Sequence, residues 1–295
     1  MSAVGRRKLA PYLYVVPALA FLLALTVYPI VYNVRTSLTD LTVGTFLSGD
    51  APFVGLDNYT KVLRDDAFLH AAGVSLLFTV ACIVLQFTIG LALAVFFARP
   101  FPGNAVLRAL LIVGWLLPGV VTGNLFRLLL DGDSGVVPWA VEGAGFGQHA
   151  WLTDPGAALW AAVATNVWVG IPFNMILLLP GLQAIPDDLY EAAALDGAIA
   201  WQRFRYITLP LLRPVALSVI LLGVIYTFKV FDIVYVLTGG GPVDATTVLP
   251  IEVYNVSLKF FRFGEGAAMS TLLLLAMLVV AAVYLLAQRR EEGTA

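Results

Sequence analysis

Four residues inside an apolar run have the side chains and spacing to bind a sugar. Asn166, Trp168, Gly170 and Asn174 lie within the run 157–180. An aromatic ring can cover the apolar C–H face of a sugar, and amide groups can bond its hydroxyls. Residues four apart share a helix face, so Asn166, Gly170 and Asn174 form one stripe. The alternative is that the amides and the glycine only mediate helix packing, as such residues do in membranes.

A second polar group lies near the end of the apolar run 211–237. It consists of Tyr226, Thr227, Lys229, Phe231, Asp232 and Tyr235. A lysine or aspartate at the centre of a membrane span is penalised by roughly 2.5–3.5 kcal/mol on insertion scales, so each needs a reason. Lys229 and Asp232 are three residues apart and can pair on a helix. We favour this structural pairing over an anion site.

Between the two runs lies a polar, helix-forming segment, 181–210. Pro186 and the two aspartates after it suit a helix start, because acidic side chains are stabilised at a helix N-terminus. Gly197 is expected either just past the helix end or at a close contact. Pro210 suits the first turn of the next helix. We expect a short helix, a bend, a second short helix over 201–207 and re-entry into the membrane; a simple linker helix between two spans is the alternative.

No motif in the sequence predicts catalysis. The sequence has no Gly-x-x-x-x-Gly-Lys-[Ser/Thr] phosphate-binding loop, and His70 and His149 lack metal-ligand spacing. Cys82 is the only cysteine and lies in an apolar run. We therefore predict no enzyme activity, cofactor or metal in this chain; if ATP is used, a partner hydrolyses it.

The composition predicts a protein of the lipid bilayer. Hydrophobic residues make up 60% of the chain and charged residues only 12%, whereas soluble domains have about 25% charged residues. The mean hydropathy is +0.90. With a net charge of −2 there is no basic face for nucleic acid.

Six apolar runs are long enough to cross a membrane, which takes about 20 residues. They are 12–34, 71–98, 105–130, 157–180, 211–237 and 267–287. Of the 17 Lys and Arg residues, ten fall on the side of the N-terminal segment 1–11 and five fall on the other; Arg127 and Lys229 are counted with the runs that contain them. Because positive charges favour the cytoplasmic side, this segment, the loop 181–210 and the tail 288–295 are predicted to be cytoplasmic. The predicted fold class is an all-α, polytopic membrane helical bundle.

The loop residues resemble a known signature. Its elements here are Glu191-Ala192-Ala193, three residues, Gly197, nine residues, Ile207, one residue and Leu209-Pro210. This spacing is similar to that of the membrane subunits of binding-protein-dependent ABC importers. The resemblance implies a type I importer permease fold with its core domain over 71–287. It also implies that the loop, with Asp196, is a coupling helix docking into a groove on a cytoplasmic ATPase.

Three further stretches resemble the sugar-type permeases of that family, as in maltose or glycerol-3-phosphate systems. They are Leu237–Pro242 with Thr246-Thr247, Gly55–Tyr59 and Trp151–Pro155. The resemblance covers nearly the whole chain, but the enterobacterial maltose subunit has eight spans and a large extracytoplasmic domain. It implies a second, distinct permease, two ATPase subunits that use ATP and Mg²⁺, an extracytoplasmic solute-binding protein and a bacterial plasma membrane.

The resemblance also bears on the substrate residues. The Trp-x-Gly step, Trp168 to Gly170, lies in a region that contacts sugar in the maltose-type subunit. An ungapped carry-over places Thr227 and Val230 at sugar-contacting positions beside Tyr226, although Val230 cannot bond a hydroxyl as an amide would. We predict half of an alternating-access sugar pore. The alternatives are an ion-coupled secondary transporter, or an ABC permease for glycerol phosphate or another polar solute.

Overall fold

The protein, seen in a computed structural model, is almost entirely helical. The structure describes residues 15–145, 147 and 150–292; segment 1–11, residues 12–14 of the first predicted span, His149 and residues 293–295 lie outside the described residues. Within those ranges, β-structure consists of two isolated bridges. The helices are α1 (Val15–Ser37), α2 (Val43–Ser48), α3 (Asp57–Val62), α4 (Asp66–Ala98), α5 (Asn104–Leu116), α6 (Gly119–Leu129), α7 (Val136–Gly143), α8 (Pro155–Gln183), α9 (Asp187–Leu195), α10 (Ala200–Phe228), α11 (Asp232–Thr238), α12 (Leu249–Tyr254) and α13 (Phe263–Glu292). The all-α prediction is confirmed.

Among the described residues, five helices are long and apolar enough to cross a membrane, namely α1, α4, α8, α10 and α13. A sixth span is obtained when α5 and α6 are counted together, but these two helices meet at a bend of 98°. The predicted span 105–130 therefore consists of two helices rather than one continuous helix. Pro118 explains the bend, because a proline has no N–H and holds the residue before it, Leu117, in an extended conformation.

The predicted bounds of the span 211–237 are wrong at both ends. α10 begins at Ala200, so the second short helix expected over 201–207 is continuous with the span. The continuity passes through a π-helical turn, Phe204–Thr208, in which Leu209 N–H donates to Phe204 O. In regular α-helical register, the ring of Pro210 would collide with the carbonyl of the residue four before it, and the wider turn avoids that collision.

α10 ends at Phe228, well before the predicted residue 237. A break over 229–231 follows, and α11 is a separate short helix that packs on α6 and α8. The polar residues predicted for one continuous span are therefore divided between a helix end, a break and a new helix.

The described residues form two compact units, one within 1–68 and 253–275 and the other within 69–252 and 276–295. In the second unit α8 is central and packs against α5, α6, α10 and α11. Asp154 fixes its start, since the carboxylate accepts a hydrogen bond of 2.8 Å from Ala157 N–H and Pro155 occupies the first turn. Buried side chains along α8 include Val163, Val167, Met175, Leu178 and Leu182.

In the first unit, the Gly55–Tyr59 stretch ties α3 to the end of α1. Asn58 Nδ2 donates to the carbonyls of Ser37 and Thr39, both at 2.9 Å. The hydroxyls of Tyr59 and Ser37 lie 2.6 Å apart. This stretch is therefore an internal anchor, and Asn58 is buried.

Candidate functional site

The polar loop contains α9, which ends in a defined cap. Gly197 N–H donates to Ala194 O at 3.1 Å, and Ala198 N–H donates to Ala193 O at 2.9 Å. These are the paired bonds of a Schellman motif, and Gly197 has the left-handed φ of +80° that the motif needs. A Cβ at Gly197 would have no atom within 4 Å. Of the two expectations for Gly197, the structure therefore favours the helix end.

α9 contributes no buried residue to its own chain. Glu191, Ala192 and Asp196 are exposed and Ala193 is half-buried. Beyond the signature, Leu195 is 90% exposed, and three more apolar side chains of the loop and α10 are exposed, namely Ile199, Trp201 and Tyr206. Of the last signature residues, Ile207 and Leu209 are half-buried and Pro210 is exposed. The loop thus presents a preformed helix end surrounded by apolar side chains.

A tyrosine that the sequence reasoning missed joins the loop helix to the next span. The hydroxyls of Tyr190 on α9 and Thr208 in the π-helical turn lie 2.9 Å apart. Tyr190 directly precedes Glu191, but its position in the sequence carries no sign of a partner 18 residues away. The bond holds α9 against α10, so the two helices meet at a fixed point.

The stripe Asn166, Gly170 and Asn174 faces α4. Gln86 Nε2 on α4 donates to Asn166 O at 3.1 Å, and a Cβ at Gly170 would overlap the Gln86 amide. Asn174 is 2% exposed, and its Nδ2 donates to Gly170 O at 2.8 Å. These contacts agree with the helix-packing alternative. They separate the three residues from Trp168, with which they were expected to form one sugar site.

Trp168 lies on a different face of α8 and is 38% exposed. Its ring centroid is 5.5 Å from that of Phe126, and it packs against Gly114, where a Cβ would be 3.0 Å away. Trp115 adjoins this position and packs on Phe173, whose ring lies 5.6 Å from Tyr226. These rings form two groups, Phe126 with Trp168, and Trp115 with Phe173 and Tyr226. We call the five residues, which come from α5, α6, α8 and α10, the aromatic face.

The residues near the end of α10 point in different directions. Tyr226 is 56% exposed on the aromatic face, whereas Thr227 is 4% exposed and Val230 is partly buried against the core. Lys229 is exposed, and its Nζ lies 4.8 Å from the centroid of the Tyr226 ring. This is the geometry of a cation–π contact.

Lys229 forms no ion pair with Asp232 among the described residues, so the predicted structural pairing is wrong. The chain breaks between the two residues, which removes the helical spacing on which the prediction depended. Asp232 instead lies against Gly119, at the N-terminus of α6, where a Cβ would overlap its carboxylate. A carboxylate is stabilised near the N-terminus of a helix.

Threonine side chains of the Gly-rich segment after α11 form hydrogen bonds to carbonyl groups of the same segment. Thr246 Oγ1 donates to Gly241 O at 2.8 Å, and Thr247 Oγ1 donates to Gly240 O at 3.0 Å. The hydroxyls of Thr238 and Thr246 lie 2.6 Å apart. The Thr246-Thr247 pair of the sugar-type resemblance therefore has a structural role in this segment.

The segment after α6 begins with a turn built on Asp131. Its Oδ1 accepts hydrogen bonds from Ser134 Oγ at 2.8 Å and from Ser134 N–H at 3.0 Å. These bonds hold the pKa of the Asp131 carboxyl below its ordinary value. Among the described residues, no group of three or more His, Cys, Asp or Glu side chains could hold a metal ion.

Comparison with known proteins identifies the family. Residues 86–292 match the model of the family described as "Binding-protein-dependent transport system inner membrane component". The trehalose/maltose transport system permease protein MalF of Thermococcus litoralis is 38% identical over 275 residues, which is 93% of this chain and 92% of that protein. The diacetylchitobiose uptake system permease protein DasB of Streptomyces coelicolor is 33% identical over 291 residues, or 96% and 88% of the two chains.

A solved structure has the same fold. One chain of a bacterial alginate ABC transporter, in complex with an alginate pentasaccharide-bound periplasmic protein, superimposes with a TM-score of 0.83 at 20% identity, covering 97% of this chain and 96% of that one. The family match and the apolar helices make this chain a multi-pass membrane protein. These findings confirm the family predicted from the Glu191 to Pro210 spacing, and the chain belongs to the inner membrane components of binding-protein-dependent transport systems.

Proposed function

We propose that this chain is the permease subunit of an ATP-driven sugar importer and that it forms half of an alternating-access pore. The observation that carries the proposal is the loop helix α9. It is capped at its C-terminus by Gly197 and tied to α10 by Tyr190, yet it buries none of its own residues. A helix that is fixed in place but uncovered suits docking to a partner.

In this proposal the partner is a cytoplasmic ATPase that binds and hydrolyses ATP with Mg²⁺. Glu191, Ala192, Ala193, Asp196 and Gly197 form the docking end. The small alanine side chains let the ATPase surface approach closely. Movement of the docked helix passes to α10 through the Tyr190–Thr208 bond and through the continuous backbone that contains Ile207, Leu209 and Pro210.

The sugar is proposed to pass along the aromatic face. Trp168 and Tyr226 carry partly exposed rings there, and such rings can cover the apolar face of a sugar while a tyrosine hydroxyl bonds its polar edge. Asn166, Gly170, Asn174, Thr227 and Val230 hold the helices that present these rings. Two relatives bear the names of a trehalose/maltose and a diacetylchitobiose permease, which supports a sugar as the solute.

The assembly in this proposal contains a second, distinct permease, two ATPase subunits and an extracytoplasmic solute-binding protein. It sits in a bacterial plasma membrane with both termini of this chain in the cytoplasm. An excess of Lys and Arg on the side of the loop supports this orientation.

Reconstitution tests the function. The chain, its co-purifying permease and its ATPase are placed in liposomes with the binding protein, and uptake of radiolabelled oligosaccharides is measured with and without ATP. We expect ATP-dependent uptake that Glu191→Lys abolishes without loss of membrane insertion. Uptake that needs no ATPase and is abolished by an ionophore would instead establish ion-coupled transport.

A tryptophan pair tests the aromatic face. Trp168→Ala is expected to weaken uptake, whereas Trp160→Ala, on the same helix and 54% exposed but outside the aromatic face, is expected to leave it unchanged. Equal effects of the two substitutions would refute the assignment of the sugar path. Such a result would not affect the conclusion that uptake depends on ATP.

A further inference from the structure

We propose that the turn between α4 and α5 binds the phosphate of an anionic phospholipid. A cavity of about 450 Å³ lies at this turn. Its lining includes Arg99, Phe101, Asn104, Val106, Arg108 and Gln183. Two guanidinium groups beside an apolar wall match the chemistry of a phosphate attached to acyl chains.

The turn is fixed by its own hydrogen bonds. Asn104 Nδ2 donates to Phe97 O at 3.0 Å and to Arg99 O at 2.7 Å, and Asn104 N–H donates to Phe101 O at 3.1 Å. The Phe97 and Phe101 rings stack with centroids 5.9 Å apart. The backbone that carries Arg99 is therefore held in one conformation before any ligand arrives.

The charge at the turn is positive and uncompensated. Within the described residues neither Arg99 nor Arg108 forms an ion pair, and neither guanidinium shares this cavity with a carboxylate. A neighbouring cavity of about 680 Å³ shares Arg99 and Gln183 and adds Arg203 and Asp187. Three arginines against one aspartate leave a net charge of +2 on the two cavities together.

The position of the turn favours a lipid over a soluble anion. Residues 71–98 contain no charged side chain, and 28 helical residues span about 42 Å, more than the hydrocarbon thickness of about 30 Å. Arg99 therefore lies where a membrane-crossing helix meets the headgroups. Phe96, Val106 and Leu110 are exposed beside the turn and offer an apolar surface to acyl chains.

Lipid binding by the full chain in its purified transporter complex tests the proposal. The probe is fluorescent phosphatidylglycerol, with phosphatidylcholine as the neutral comparison, and binding is measured at constant ionic strength. We expect preference for phosphatidylglycerol, and a loss of affinity of about five-fold for each arginine removed in Arg99→Gln and Arg108→Gln. Arg205→Gln removes an exposed cation that lines neither cavity, and its affinity should match the wild type.

Three outcomes would overturn the proposal. The double variant could bind phosphatidylglycerol as tightly as the wild type, or Arg205→Gln could weaken binding equally, which would indicate a diffuse charge effect. Displacement of the lipid by low-millimolar inorganic phosphate would assign the arginines to a soluble anion. Because the readout is lipid affinity, failure here is distinct from failure of the proposed transport function.

Discussion

Replacing Gly197 with alanine isolates the backbone contribution to coupling. Gly197 has φ +80°, and a Cβ there would meet no atom within 4 Å, so alanine adds no clash. The cost is the left-handed conformation itself, about 1–2 kcal/mol for an L-residue. Since about 1.4 kcal/mol corresponds to a factor of ten, the ratio of chains with this helix end formed to chains with it unformed should fall by about 5- to 30-fold.

The loss of uptake should be smallest for substitutions at position 197 that tolerate a positive φ. Gly197→Asn is expected to retain more uptake than Gly197→Ala, because asparagine visits the left-handed region more readily than alanine. Gly197→Pro should abolish coupling, since the φ of proline is fixed near −65° and the substitution removes the N–H that donates to Ala194 O at 3.1 Å. The assay is ATP-driven oligosaccharide uptake together with recovery of the ATPase in a pull-down.

A second glycine provides the matched control. Gly49 has φ +73°, ends a helix as Gly197 does, and also has open space around its Cβ position. Gly49→Ala should carry the same strain without loss of ATPase recovery. The reasoning is refuted if the Gly197→Ala variant couples normally, or if the two alanine variants lose ATPase binding equally.

Three further predictions concern single contacts. Tyr190→Phe removes a hydroxyl–hydroxyl bond of 2.9 Å, so we expect α9 to lose about 0.5–1.5 kcal/mol of local stability, seen as faster amide hydrogen exchange. Gly170→Ala should lower the free energy of unfolding in detergent by about 1–3 kcal/mol, because the added Cβ overlaps the Gln86 amide; a thermal melt measures the loss. Adding Gln86→Ala should cost less than the sum of the single changes. Ser134→Ala should raise the pKa of Asp131, measured by an NMR titration of its carboxyl carbon; the stability that this lowered pKa confers is present above the ordinary carboxyl pKa and is lost as the pH falls through the lowered value.

The sequence predicted most of the helices because membrane spans are set by length and apolarity. It also located the loop helix, whose caps depend on local residues such as Pro186 and Gly197. It did not predict the bend at Pro118 or the break after Phe228. Both lie within apolar runs that hydropathy alone reads as continuous. An interior proline does not by itself predict a bend, because α8 continues as a helix through Pro172.

The sugar site was harder to predict because a stripe of polar residues does not show which neighbour it faces. Asn166 and Asn174 have the spacing of a common face, but whether that face meets a solute or another helix depends on Gln86, 80 residues earlier than Asn166. The aromatic face had no sequence signal of its own. Trp115 and Phe173 are ordinary residues of apolar spans, and only the fold brings their rings together.

The π-helical turn Phe204–Thr208 has a consequence for the direction in which the loop points. A wide turn accommodates one more residue than an α-helical turn of similar rise, and each α-helical residue turns the helix by about 100°. The surplus residue is therefore absorbed within that one turn, and the helix before it keeps the direction that an unbroken α-helix would give it. Deleting a residue from a regular α-helical stretch of α10 would instead rotate everything before it by about 100°. The wide turn thus makes room for the ring of Pro210 without turning the docking helix away from the span.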